Sequence, residues 1–464
     1  MTPTFDAFHL PVHVEVSRFR TTEAGRLVYR YPDPTRDLLE ALVERLRRAR
    51  EDLVARPVAE LVEVVDAAAS RLADSGAPLR AEALRLLPLA TGYSAEMAAL
   101  VLDRMVADWR AEPLRRLLHA ELNDPRVLDG FTSVGEGRAA RAYGPLLSFH
   151  VFAGNVPGVA VTSLIRSLLV KSPAAGKTAE GEPVLPVLFA RALRDVDPAI
   201  ADALAVTYWP GGSEAAERQL ARAADLTVLY GGAEAVAALR ELTPPDRRLV
   251  VHGPRLSVAM IGAPALAPSS MRATAARLAR AVAMFDQHGC VSPQAVWVED
   301  PEGDAAARFA EALAGQMDRL EDELPRGAVS PAEASAIQQA RGAAELRGYA
   351  GDTVRVYAGG GTLWTVVYDA DPTFRPSCLN RFVRIHPVTS LDDAVPLLAP
   401  VASHLQSVAL EVPAARVHPL AHRLAELGAS RITTLERLPW PPAEWHHDGS
   451  APLRELLRWV DLES

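Results

Sequence analysis

Apolar positions recur at i, i+3, i+4 and i+7 in DLLEALVERLRRAREDL (37–53), VAELVEVVDAAASRLA (58–73) and SAEMAALVLDRMVADW (94–109). That spacing lines one side of a helix, so residues 1–120 are expected to form a mainly helical N-terminal region. Past residue 146 short apolar runs alternate with helical ones. SFHVFAG (148–154), LAVTYWPGG (204–212) and LTVLYGG (226–232) read as buried strands. GVAVTSLIRSLLV (158–170), PVLPVLFARALRDV (183–196), SEAAERQLARAA (213–224) and EAVAALREL (234–242) read as helices. Such alternation predicts βαβ crossovers and a parallel sheet over 121–247. A second α/β series runs over 248–418. It begins with the strands RLVVHG and RLSVAMIG and the helix SSMRATAARLARAVAMF (269–285). The strand QAVWVED (294–300), two helices across 303–349 and the strands TVRVYAG, LWTVVYD, FVRIHPV and LQSVALEV follow. The remaining segment, 419–464, is expected to end in an amphipathic helix, PLRELLRWVDLE.

The chain has 464 residues, 49% of them hydrophobic, and a net charge of −9. That is ample for a buried core of several domains and excludes a disordered chain. The acidic balance argues against nucleic acid, which needs a clustered basic face. Two cysteines, Cys290 and Cys378, are too few for a disulfide framework. The N-terminus carries no basic segment followed by an apolar one, so no export signal is read. Residues 142–165 lack Asp, Glu, Lys and Arg, but His150, Gly154, Asn155, Pro157 and Gly158 interrupt them. A strand, a turn and a helix start fit that stretch better than a membrane span. The expectation is a cytoplasmic protein in a reducing compartment.

Two phosphate-loop look-alikes fail. Gly176-Lys177-Thr178 has Lys171 where the first glycine belongs, and a helix precedes it. Gly135–Ala140 matches G-x-G-x-x-A in a polar stretch, with no strand expected before it. Zinc-protease, CxxC and serine-hydrolase motifs are absent, and no metal site is expected. Cys290 stands in MFDQHGCVSPQ, between a helix end and a strand start, beside a polar turn. It reads either as a small buried hydrophobe or as a nucleophile projecting into a crevice. Asn155, in Gly154-Asn155-Val156-Pro157-Gly158, reads either as a helix cap or as an amide aimed at an oxyanion. Lys171 and Lys177 are the chain's only lysines, which suggests a need for a compact ammonium in this unit.

Together these stretches resemble the aldehyde dehydrogenase superfamily, and within it the LuxC-type fatty acyl-CoA reductases. The AGNVPG turn, K-T-A-E, Y-W-P-G-G, L-Y-G-G, F-D-Q-H-G-C with S-P-Q, S-H-L-Q-S-V-A-L (403–410) and the tail E-W-H-H-D-G-S carry the resemblance, in family order. It implies an aldehyde dehydrogenase-like α/β fold, with a Rossmann-like dinucleotide-binding domain and a second α/β catalytic domain. Cys290 would be the nucleophile, with Asn155 and the Cys290 N–H as oxyanion hole. Lys177 would lie on the adenosine ribose and Gly231 and Gly232 beside the dinucleotide, and the C-terminal segment would help form a homo-oligomer.

Two departures bear on chemistry. Hydrolytic aldehyde dehydrogenases carry a water-activating glutamate where this chain has Val251. That suits a thioester that must survive until hydride arrives. Glu180 stands where NADPH-using reductases lack an acid, and NAD-dependent relatives place such a glutamate on the ribose hydroxyls. NADPH is the expected cofactor, with NADH possible. The expected activity is reduction of a long-chain acyl-CoA, or of an acyl-carrier or partner-enzyme thioester, to a fatty aldehyde through a cysteinyl acyl-enzyme. An aldehyde oxidiser and a catalytically silent partner subunit are the alternatives.

Overall fold

The computed structural model describes residues 2–135 and 137–463. The chain forms two compact units: Met1–Gly92 with Ala98–Gly253 and Pro442–Ser464, and Tyr93–Met97 with Pro254–Pro441.

In the first unit, helix Val58–Ala73 follows its apolar spacing directly, burying Val58, Leu61, Val62, Val65, Ala68, Ala69 and Leu72. Helix Arg36–Ala55 starts where the Thr35 hydroxyl accepts from the Leu38 N–H. Four short strands precede these helices, at Thr4–Asp6, Phe8–His9, Phe19–Ala24 and Leu27–Pro32, so the opening of the expected helical region is β structure. The central sheet runs in the order Arg248–His252, Leu226–Tyr230, Ser148–Val151, Ala174–Thr178, Leu204–Tyr208, Phe8–His9. The first five strands are parallel and Phe8–His9 is antiparallel to its neighbour. Strands such as Leu204–Tyr208 are buried along their whole length, as a sheet covered on both faces requires. Strand Arg248–His252 therefore belongs to the first sheet, not to the second series. Its five residues pair in register with Leu226–Tyr230.

The tail also departs from expectation. Leu453, Leu456 and Leu457, which suggested a helix face, enter the first unit's core from a short 3₁₀ turn at Arg454–Leu456. Arg458–Glu463 is a strand, antiparallel to Arg138–Tyr143. Pairing with a distant open edge overrides local helical periodicity. The segment 419–464 is divided, because residues up to Pro441 lie in the second unit. Around Gly135–Ala140 a strand, Thr132–Gly135, does precede the glycines, but it pairs with Arg138–Tyr143 and leads into no helix. Glu136, between them, lies outside the described residues. Gly176-Lys177-Thr178 sits inside a strand. Among the described residues no helix is long and apolar enough to cross a membrane.

The second unit holds a seven-stranded sheet ordered Val354–Ala358, Thr365–Asp369, Phe382–Val388, Pro293–Glu299, Leu256–Ile261, Leu405–Glu411, Arg431–Thr433. Only Val354–Ala358 runs antiparallel to its neighbour. Trp297 is fully buried in this unit's core, among Met260, Leu391, Leu398 and Leu410.

Candidate active site

Cys290 lies in the second unit, in the turn between helix Met271–Ala283 and strand Pro293–Glu299, and is half-buried. The turn is strained: Phe285, Asp286 and Gln287 have φ of 57°, 47° and 69°. Left-handed backbone costs each such residue roughly 1 kcal/mol or more and persists only where the surroundings over-determine it. Gln287, fully buried, does much of that. Its amide donates to the carbonyls of Pro293 (2.8 Å) and Phe382 (2.9 Å) and its Oε1 accepts from the Phe382 N–H (2.8 Å). Asp286 accepts from Arg381 Nε at 2.8 Å and from the Gly327 N–H at 3.1 Å. The Tyr93 hydroxyl donates to the Phe285 carbonyl at 3.4 Å. A Cβ on Gly289 would sit 2.9 Å from the Phe285 ring, so the approach to the cysteine admits only glycine without movement.

A second left-handed turn, Leu379-Asn380-Arg381, with φ of 60° at each residue, packs on the first. Arg381, 1% exposed, reaches from it to Asp286, to Glu321 (3.0 Å) and to the carbonyl of Leu324 (3.0 Å). His288 Nε2 lies 3.3 Å from Asn380 Oδ1 and 3.7 Å from Glu333. Sequence reasoning passed over Gln287 and the Arg381 network. The polar turn beside an apolar strand was the visible trace.

The first unit gathers Asn155, Lys177, Glu180, Gly231 and Gly232 along the carboxyl ends of its parallel strands. Strand Ser148–Val151 has Ala174–Thr178 on one side and Leu226–Tyr230 on the other. The loops leaving it and Leu226–Tyr230 diverge there, and such a switch point is where doubly wound sheets take dinucleotides. Asn155 is exposed in the loop after Val151. Helix Val159–Leu169 is capped by Gly158 without a side-chain bond, so the capping reading of Asn155 falls away. Gly154 and Gly181 pack backbone to backbone: a Cβ on Gly181 would lie 2.7 Å from the Gly154 carbonyl.

Lys177 ends up nearly buried, with Glu217 at 4.0 Å; burial lowers its pKa, and Glu217 acts against that. Glu180 is exposed, and its charge helps raise the pKa of Tyr29 and Tyr208. Gly232 heads helix Ala233–Leu242 with open space where a Cβ would be. The buried Trp209 Nε1, at the end of strand Leu204–Tyr208, has no protein partner. A desolvated ammonium, an approachable helix N-terminus and an orphaned donor fit a dinucleotide's ribose and phosphates.

Glu182 braces this region and was not foreseen. It is buried, and its carboxyl accepts from the Leu185 N–H at 2.6 Å and also takes the Val184 and Gly158 N–H groups. Burial is the largest influence and pushes its pKa up to about 8, the three N–H bonds opposing. A carboxyl raised in the folded state favours folding most below its unfolded pKa and loses that advantage as pH rises through the folded one. Glu182→Gln is therefore expected to gain stability relative to the native chain between about pH 4.5 and 8. Parallel denaturation curves across that range would check it; a constant difference would refute it.

His252 Nδ1 lies 3.0 Å from Asp448 Oδ2, and with His447 these groups fall within 4.8 Å of one another. Distance alone would admit a metal ion. The imidazoles of His252 and His447, however, stack at 4.5 Å with planes 8° apart, between Tyr230 and Trp445. An ion must lie in the plane of each imidazole that binds it, and nearly parallel stacked planes share no such point. This group locks the tail onto the end of the first sheet.

The two α/β units and these residues define an aldehyde dehydrogenase-like fold. The chain superposes on an NAD-dependent benzaldehyde dehydrogenase from Corynebacterium glutamicum with a TM-score of 0.73, at 16% identity over 99% of each chain. For aldehyde dehydrogenase 21 from Physcomitrella patens the TM-score is 0.76, at 12% identity over 100% of this chain and 98% of that one. Residues 53–459 match the acyl-CoA reductase (LuxC) family, and the chain belongs to that family. It is 28% identical over 389 residues to a long-chain acyl-protein thioester reductase of Aliivibrio fischeri, covering 82% of this chain and 77% of that one. It is 25% identical over 381 residues to long-chain acyl-protein thioester reductase 2 of Photobacterium leiognathi, covering 80% and 75%.

Proposed function

We propose that the protein reduces a long-chain acyl thioester to a fatty aldehyde. The Cys290 thiolate attacks the thioester carbonyl, the new S–C bond forming as the donor's C–S bond breaks. The donor leaves as a thiolate that takes up a proton. The Asn155 amide and the Cys290 N–H donate to the oxygen that carries charge as the tetrahedral centre forms. Lys177, Glu180, Gly231 and Gly232 would hold a reduced nicotinamide dinucleotide, which when bound would supply the hydride, and with it the two electrons, for reduction of the acyl carbon. The Cys290 S–C bond then breaks, restoring the thiolate and releasing the aldehyde.

The observation that carries this reading is the half-buried Cys290 on its over-determined turn, in a chain of the acyl-CoA reductase family. Val251, paired with Leu229, supports it by putting an aliphatic side chain where hydrolytic relatives keep their base. The family description gives acyl-CoA and the relatives' names give acyl-protein, so the proposal takes the long-chain acyl thioester as the substrate class.

Intact mass after exposure to a long-chain acyl-CoA, without nicotinamide, tests the first half-reaction. One acyl increment on Cys290, discharged as aldehyde by NADPH or NADH, is expected. No increment with acyl-CoA or with an acylated carrier protein would overturn the reading. Glu217 lies 4.0 Å from Lys177, and the resemblance puts Glu180 on the ribose hydroxyls, where a carboxylate would repel a 2′-phosphate. Glu180→Gln should raise kcat/KM for NADPH relative to NADH by about tenfold, the effect of removing one repulsive charge. An unchanged ratio would remove Glu180 from the ribose site.

A further inference from the structure

Cys290 and Val291 are the central residues of a turn closed by the Ser292 N–H, which donates to the Gly289 carbonyl at 2.9 Å. Such a turn bonds its first carbonyl and its last N–H, and the carbonyl between its central residues must be met from outside. The Ser257 hydroxyl does this, donating to the Cys290 carbonyl at 2.7 Å. Ser257 is fully buried on strand Leu256–Ile261, and its Oγ also accepts from the Ser407 N–H at 3.1 Å. Of these two partners one can only donate and the other only accept, so the hydroxyl proton has a single direction to point.

The sheet explains why the hydroxyl stands there. Leu256 pairs with Leu405 and Val258 with Val408, so two steps on one strand face three on the other. On the opposite flank Ser257 pairs with Pro293 and Val258 with Ala295, one step against two. Both neighbouring strands therefore slip register at Ser257. Such slips are uncommon between parallel strands, and beside active sites they re-aim side chains. Ser407, in S-H-L-Q-S-V-A-L, falls within the slip on its side, and its N–H goes to a side-chain oxygen instead of a strand carbonyl. Gln287 and the left-handed run hold the backbone before Cys290; Ser257 holds it after. A residue gripped on both sides presents its sulfur and its N–H together, and displacing a reacting group by about 1 Å costs about 10²-fold in rate.

We propose that Ser257 is a positioning residue, which fixes through the Cys290 carbonyl the direction in which the Cys290 sulfur and N–H meet the thioester. The inference rests on Cys290 being the nucleophile. The test, on the full chain, is quenched single-turnover acylation by a long-chain acyl-CoA, or by an acylated carrier protein, beside iodoacetamide alkylation of Cys290 located by peptide mass. Ser257→Ala should acylate about 10²-fold slower, with half-saturation at the native thioester concentration. Its alkylation should stay within about twofold of native, because a small reagent makes no use of the oxyanion hole. Ser257→Thr and Ser257→Val add nearly the same bulk and differ in the hydroxyl, so Ser257→Thr should acylate about tenfold faster than Ser257→Val. Equal rates in that pair, a native rate in Ser257→Ala, or alkylation slowed in step with acylation would each overturn the proposal. A native chain that takes no acyl group would refute the proposed reaction and this inference with it. A native chain that is acylated while Ser257→Ala keeps pace would refute this inference alone.

Discussion

Cys290→Ala is expected to take no acyl increment from any thioester and to release no aldehyde above background. The side chain is half-buried and the turn is held by Gln287, Asp286 and Arg381, so the variant should fold and melt like the native chain, within about 0.5 kcal/mol. Cys378 cannot take over. Burial pushes its thiol pKa up, and its S–H points to the Leu379 carbonyl at 3.8 Å. The assay is intact mass with aldehyde trapping, run beside the native chain. Persisting aldehyde would remove Cys290 from the chemistry.

Asn155→Ala should slow acylation by about 10²–10³-fold, the usual loss on removing one oxyanion donor. Its thermal midpoint should not move. The helix that follows is capped by Gly158, and Asn155 is exposed, so its side chain is not what starts the helix. Quenched single-turnover acylation measures the rate, and thermal melting measures the rest. A rate within twofold of native, or a rate loss matched by a lower midpoint, would make Asn155 a structural residue.

Much of this architecture was legible in the sequence because it is local. Val58–Ala73 has the bounds its periodicity predicts, and the strand–helix alternation from 148 to 242 was readable for the same reason, except for the strand Ala174–Thr178, which the pattern did not mark. What could not be read depends on partners far along the chain. Arg458–Glu463 looked helical until its pairing with Arg138–Tyr143 was known. Phe285 is no residue type for left-handed backbone, and the bonds that Asp286, Gln287 and the Tyr93 hydroxyl make across the fold hold it there. The family motifs marked Cys290 and Asn155, but nothing local marked Glu182. Its significance arises from the amides that it meets after folding.

Leu453, Leu456 and Leu457 share one core with residues from Phe5 to Val250, while everything from Pro254 to Pro441 lies in the other unit. During synthesis the ribosome therefore finishes the second unit before the first can close. The usual order, in which the N-terminal body settles first, is reversed for this chain's last step. Until the tail emerges, the open edge of Arg138–Tyr143 and the apolar surface awaiting those leucines stay uncovered. In that interval an unpaired strand edge and uncovered apolar surface both favour aggregation of the nascent chain.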